Sequence, residues 1–309
     1  MDPSTIDFLV ATLRIATPLL FAACGGILSE RAGVFAVGLE GMMLAGAFGA
    51  TVATFLTGYA AFGLLASVVA GACLAAAIAA VTVRFQAEQM VTGLAANILA
   101  IGLTSFLLRS LVGRGQAPVI QVALLPAWPV PGLADLPWIG SVLFQQPPLT
   151  YLALLLTVPI YLILTRTQIG LTLRAVGENP IAAFAVGARP LRVRALAVIA
   201  GGAIAGLGGA VLALQQIGTF SDGMTYGRGY IALAAIIVGR WMPFGTLVAC
   251  LVFGAAEALH LRVQAIGLPI SSYVVQMLPY IIALAVLAGM GRSARLPAAI
   301  GVAYDPKGR

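Results

Sequence analysis

Of the chain's 309 residues, 61% are hydrophobic and only 9% charged, with a mean hydropathy of +1.04. Soluble domains carry about 25% charged residues, so a soluble globular fold is excluded, and repeated apolar runs of about 20 residues fit membrane-spanning helices. The net charge of +7 does not point to nucleic acid, because the 16 Arg and one Lys fall in the gaps between apolar runs, the pattern set by membrane orientation.

The apolar runs are rich in Val, Ile, Leu and Ala without alternating polarity, which argues for helices over a transmembrane barrel. The fold predicted is an all-α integral membrane protein, one transmembrane domain over 1–309, with about nine spans (roughly eight to ten). Candidate spans are 8–28, 34–57, 60–83, 90–112, 149–165, 195–217, 229–241, 244–261 and 271–290. The fifth and seventh are short for a core of about 30 Å and read as broken or tilted.

At the start of the chain, Phe21-Ala22-Ala23-Cys24 resembles a lipoprotein cleavage site. Asp2 and Asp7 stand where a leader carries basic residues, and Arg14 interrupts the apolar run, so the first span reads as uncleaved. Cys24, Cys73 and Cys250 are scattered through the spans and give neither a disulfide framework nor a metal spacing.

Residues 25–46, GGILSERAGVFAVGLEGMMLAG, mix Gly with polar groups inside an apolar run. So do residues 218–229, GTFSDGMTYGRG. Broken or re-entrant helices that line cavities have this composition. The pairs Ser29-Glu30 and Ser221-Asp222 fall on opposite sides of the predicted topology, which hints at an inverted repeat. A charge at membrane depth costs about 2.5–3.5 kcal/mol on insertion scales, so Glu40 must face protein or water. It is either a buried cap or pair, or part of a solute path. Thr92, Asn97, Gln215 and Gln276 are neutral hydrogen-bonding groups in or at the ends of spans. Each is either interhelical glue or a lining of the same path, and Asp222 is read as lining that path. Glu257 lies one helical turn before His260, close enough to share a proton or hydrogen bond.

Two gaps are long. Residues 114–148 hold seven of the 17 Pro together with Trp128 and Trp138, which suits an external loop at the membrane interface, either a connector or a lid. Residues 166–194 hold Arg166, Arg174, Arg189, Arg192 and Arg194 against one acid, Glu178. Inside this second gap a miniature helix has both ends marked. Asn179 is its N-cap and Pro180 its first residue, while Gly187 suits the left-handed close and Pro190 blocks continuation. Ile181, Phe184 and Ala185 then share one apolar face.

With the N-terminus outside and nine alternating spans, twelve basic residues fall inside: Arg31, Arg84, the five of 166–194, Arg240, Arg292, Arg295, Lys307 and Arg309. Five fall outside: Arg14, Arg109, Arg114, Arg228 and Arg262. The reverse orientation violates the positive-inside rule. The 166–194 loop and the C-terminus are therefore expected in the cytoplasm.

Catalytic motifs are missing. The only Lys, Lys307, is the third residue from the end, so no P-loop is present; His260 has no metal-spaced partners; and no nucleophile–base pair lies within sequence reach. On these residues the chain is not expected to be an enzyme or to hydrolyse ATP itself, and no cofactor is expected on it.

The sequence resembles the permease subunits of ATP-binding-cassette (ABC) importers. The resemblance is to the branched-chain amino acid/simple sugar permease superfamily, in its nucleoside (basic-membrane-protein-associated) branch. It rests on TPLLFAACGGILSERAGVFAVGLEGMMLAGAF (17–48), QMVTGLAANILAIGLTSFLLR (89–109) and GLTLRAVGENPIAAFAVGARPLRVR (170–194). It continues through QIGTFSDGMTYGRGYIALAAIIVGRWMPFG (216–245) and QMLPYIIALAVLAG (276–289). The resemblance implies that Arg174, Glu178, Asn179, Pro180, Ile181, Phe184 and Gly187 form a coupling helix for a cytoplasmic ATPase, which hydrolyses the ATP. It also implies a second homologous permease chain in a heterodimer, an extracytoplasmic substrate-binding protein, and the bacterial inner membrane. A smaller residue is expected where Tyr226 stands.

Uncharged polar side chains suit a neutral, hydroxyl-rich solute, such as a purine nucleoside. Two alternatives are a simple-sugar permease and a proton-coupled carrier using Glu40 or Glu257. A channel lacks its ring of charges or filter loop.

Overall fold

Apolar runs separated by Gly, Pro and Arg become helices whose ends fall at those punctuating residues. A computed structural model describes residues 3–112, 120–135, 139–266, 277, 281, 285 and 296–304. In chain order the helices are α1 (Pro3–Arg31), α2 (Leu39–Thr57), α3 (Ala60–Ala79), α4 (Gln89–Val112), α5 (Ile139–Leu143) and α6 (Pro148–Arg166). They continue as α7 (Gln168–Glu178), α8 (Pro180–Ala185), α9 (Pro190–Ala210), α10 (Arg228–Val238) and α11 (Pro243–Ile266). Widened π turns extend α3 through Ala80–Arg84 and α9 through Val211–Ile217. Two short strands, β1 (Ile120–Gln121) and β2 (Thr219–Phe220), pair antiparallel, Ile120 opposite Phe220.

Seven helices among the described residues are long and apolar enough to cross a membrane. Of the predicted span 271–290, only residues 277, 281 and 285 are among the described residues. Two predicted spans differ from the helices observed. The second begins at Leu39 instead of residue 34, because 32–38 form a non-helical link. The seventh is an 11-residue helix, α10, about 16 Å long and thus half of a membrane core. The fifth is unbroken from Pro148 to Arg166, despite Pro159 within it.

The centre of the bundle is α9, with α1, α2 and α3 packed around it. Small residues permit this closeness without a hydrophobic drive between helices. A Cβ on Gly201 would strike the Gly25 carbonyl of α1, and one on Gly209 would strike the Met43 carbonyl of α2. Such contacts also fix directions. Gly201 meets Gly25 and Gly208 meets Pro18, so α1 runs antiparallel to α9. Gly202 meets the Met42 sulfur, and Gly63 of α3 meets both Ala50 of α2 and Leu214 just beyond α9, so α2 runs parallel to it.

The two ends of the bundle are unlike. One, the basic end, gathers Arg31, α7, α8 and the segment 296–304 around the start of α9. At the other, the loop end, β1 pairs with β2, and the Val122 and Leu125 amides donate to Gly218 and Leu214. Residues 120–125 of the Pro-rich gap are thus tied to the end of α9, and Phe48 stacks edge-on against Phe220 at 5.3 Å between centroids.

Candidate functional site

Two helix N-termini meet inside the bundle. Level with Met42 on α2 is Gly202 on α9, so Glu40 lies roughly 15 Å along α9 from its start at Pro190. α10 begins beside it, because Gly229 is packed on the Glu40 backbone. The Glu40 carboxylate accepts from the Thr225 hydroxyl, from Gly227 N at 2.8 Å and from Gly229 N at 2.7 Å. A helix leaves its first N–H groups free and is positive at that end, so a carboxylate there supplies both acceptors and countercharge. Glu40 is buried and serves as the cap of α10.

Asn97 of α4 does the corresponding work for α2. Its Oδ1 accepts from Gly41 N at 2.8 Å, and its Nδ2 donates to Val37 O at 3.0 Å and to the Tyr230 hydroxyl at 2.8 Å. Glu40 and Asn97 thereby lock α2, α4 and α10 into one knot at mid-depth. From the loop end, residues 218–227 reach this knot without helical structure, and α10 then continues to the basic end. Gly-rich sequence with polar residues produced a discontinuous crossing, as such composition predicts.

At the basic end the turn after α10 is clamped to α1. The Trp241 indole N–H donates to Glu30, whose other oxygen accepts from Ala36 N, and Arg31 Nε donates to Trp241 O at 3.0 Å. The miniature helix α8 forms with the brackets predicted for it. Asn179 Oδ1 accepts from Ile181 N at 3.1 Å and Ala182 N at 3.0 Å, Pro180 is the first residue, and Gly187 has φ +93°. Ala183 is buried, whereas Ile181 is 72% and Phe184 54% exposed, with Ala185 and Val186 exposed beside them. α8 presents an apolar face that nothing among the described residues covers. Arg174 is half-buried, with its Nε 3.4 Å from Gly170 O, and exposed Glu178 accepts from Ala298 N at 3.3 Å.

The family model for the branched-chain amino acid transport system permease component matches residues 8–287. The chain belongs to this permease family. The permease is 37% identical over 303 residues to a guanosine ABC transporter permease protein of Bacillus subtilis, covering 95% of each chain. It is 36% identical to a nucleoside ABC transporter permease protein of Lactococcus lactis, covering 97% of this chain and 98% of that one. A putative glucose ABC transporter permease protein of Haloferax volcanii is 35% identical over 84% of this chain and 78% of its own. No solved structure matches the chain.

The other predicted positions of the permease are dispersed. Thr92 returns its hydroxyl to Glu88 O, just before its own helix, at 2.7 Å. Gln215, in the π turn, donates to Thr150 at 2.9 Å while its buried Oε1 has no partner among the described residues. Asp222 is exposed near the loop end, 3.8 Å from Arg109. Gln276 lies outside the described residues. The two Ser-acid pairs occupy unlike places, since Glu30 is fully buried and Asp222 is not. Glu257 does not take up its helical neighbour His260 as the spacing proposes; it pairs with Arg228 of α10 at 2.9 Å.

Sequence reasoning missed Arg194. Counted among the orienting charges of the loop, it is 2% exposed and donates to three carbonyls. These are Ala32 O at the end of α1, and Ala299 O and Val302 O in the C-terminal segment. It ties the starts and ends of distant elements beneath α8. No signal in a basic loop distinguishes the one Arg that turns inward.

Proposed function

We propose that this permease is the membrane-spanning subunit of an ABC importer for nucleosides. The observation that carries the reading is its similarity across 95% of both chains to a permease named for guanosine. In this reading a cytoplasmic ATPase hydrolyses ATP and docks on α8, through Ile181 and Phe184 with Arg174 and Glu178 alongside. A binding protein delivers solute to the loop end, and a second homologous permease chain completes the path as a heterodimer. The basic end is cytoplasmic and the N-terminus outside, in line with the positive-inside rule. No cofactor is bound by this chain.

Two observations weigh against a proton-coupled carrier. Glu40 is held by three donors as a helix cap, and Glu257 is held by Arg228. A simple-sugar permease is the second reading, favoured by the similarity to the glucose permease protein. Competition decides between these two. Cells expressing the chain with its partner subunits take up labelled guanosine, and unlabelled guanosine and uridine are expected to compete while ribose does not. Uptake that ribose or glucose inhibits and nucleosides do not would replace the nucleoside reading with the sugar one.

A further inference from the structure

Contact with lipid does not account for two exposed tyrosine rings at the α10 break. Tyr226 and Tyr230 flank the start of α10, four residues apart, and are 74% and 41% exposed. Glu40 bonds Gly227 between them, so both lie at the mid-depth knot. Tyrosine is favoured at the membrane–water interface rather than midway through the hydrocarbon. Non-helical backbone at such depth is tolerated only where protein or a water-filled cavity covers it. Ser221 and Asp222 are exposed on the same non-helical stretch. This side of 221–230 therefore faces an aqueous path or a second protein surface.

The rings are held rather than loose. Tyr226 sits at φ +46°, a conformation that is an outlier for a bulky residue and persists only where surroundings enforce it. Here the enforcing contacts are the Glu40 bonds to Gly227 and Gly229 immediately downstream. The Tyr230 hydroxyl is fixed by Asn97. The Glu40 charge is taken up within the knot and exposed Asp222 stands 3.8 Å from Arg109, so what the two rings themselves present is aromatic and uncharged. Such a surface suits a flat neutral ring, because every nucleobase has a π-face that stacks on an aromatic side chain.

We propose that Tyr226 and Tyr230 are the surface on which the base of a nucleoside stacks during passage, along a path closed by the second permease chain. The proposal rests on the nucleoside reading above. The test uses the complete transporter in proteoliposomes, with wild-type guanosine uptake as the reference. Tyr226→Gly removes the ring and relieves the left-handed strain, so it preserves the fold; Tyr226→Phe keeps the ring.

Tyr226→Gly is expected to lower maximal guanosine uptake about tenfold, within the range that one base–aromatic stack supplies. Tyr226→Phe stays near wild type, and basal ATPase activity and co-purification of the second permease chain are unchanged in both. Irradiation with 8-azidoguanosine, whose reactive group is on the base, is expected to label the peptide carrying Tyr226 and Tyr230. Wild-type uptake of nucleosides with full activity in Tyr226→Gly, or with labelling elsewhere, overturns the stacking proposal and leaves the nucleoside reading standing. Loss of the second chain on Tyr226→Gly also overturns it, by making the ring an interface contact. A wild type that moves no nucleoside overturns both.

Discussion

Replacing Ala183 with proline is expected to abolish uptake while leaving the protein inserted in the membrane. The Ala183 amide donates to Asn179 O at 3.0 Å, and Ala183 is buried beneath the exposed face of α8. Proline removes that donor and collides with the preceding turn, costing about 3 kcal/mol or more. In a helix of six residues no other turn can compensate. A cost of that size leaves on the order of a hundredfold fewer molecules with α8 formed. The seven spans do not include α8, so insertion and overall assembly in the membrane are unaffected. Phe184→Asp is the companion variant. The Phe184 ring is more than half exposed, so the fold is expected to stand while the ATPase no longer co-purifies. Normal uptake in Ala183→Pro would remove α8 from the mechanism.

Glu40→Ala is expected to cost stability as well as transport. It deletes three accepted bonds and strands the Thr225 hydroxyl and the amides of Gly227 and Gly229 in a buried knot. Leaving a buried donor unsatisfied costs about 1–3 kcal/mol, so three together exceed about 3 kcal/mol. Detergent-purified Glu40→Ala is expected to show a lower Tm and to lose monodispersity on size exclusion. Glu40→Gln keeps one acceptor oxygen and the side chain's shape, and falls between the two. The same pair separates a cap from a proton site. A carrier that protonates Glu40 would tolerate the neutral Gln structurally and lose only its coupling, whereas a cap loses stability in proportion to the acceptors removed. An unchanged Tm in both variants would contradict the cap.

How far the sequence revealed this arrangement depended on the range of the interactions involved. α8 was legible because its signals are local: Asn179, Pro180 and Gly187 act on the adjacent backbone, where propensity decides. The break before α10 was legible because Gly beside Ser, Thr and Asp has no place in a lipid-facing helix. Glu40 was recognisable as a buried charge, yet its partners lie 185–189 residues away, and no spacing rule reaches across that interval. The same distance hid Arg194, whose acceptors are 105–162 residues off. It also misdirected the reading of Glu257. One helical turn to His260 is a valid geometry, but an unpaired arginine at membrane depth is the costlier group to leave alone, and Arg228 takes the carboxylate. The strap between 120–125 and 214–220 was invisible for a different reason, since two paired residues leave no alternation to detect.

In the proposed cycle an external ATPase drives solute through this chain by way of α8. The most direct test is guanosine uptake into proteoliposomes containing the permease with its ATPase and second permease chain, the energy source being switched. Uptake is expected to require ATP on the side of the basic end, to stop on ATP depletion, and to persist when a protonophore collapses the proton gradient. Uptake by the lone chain that needs no ATP and collapses with the protonophore would contradict the account.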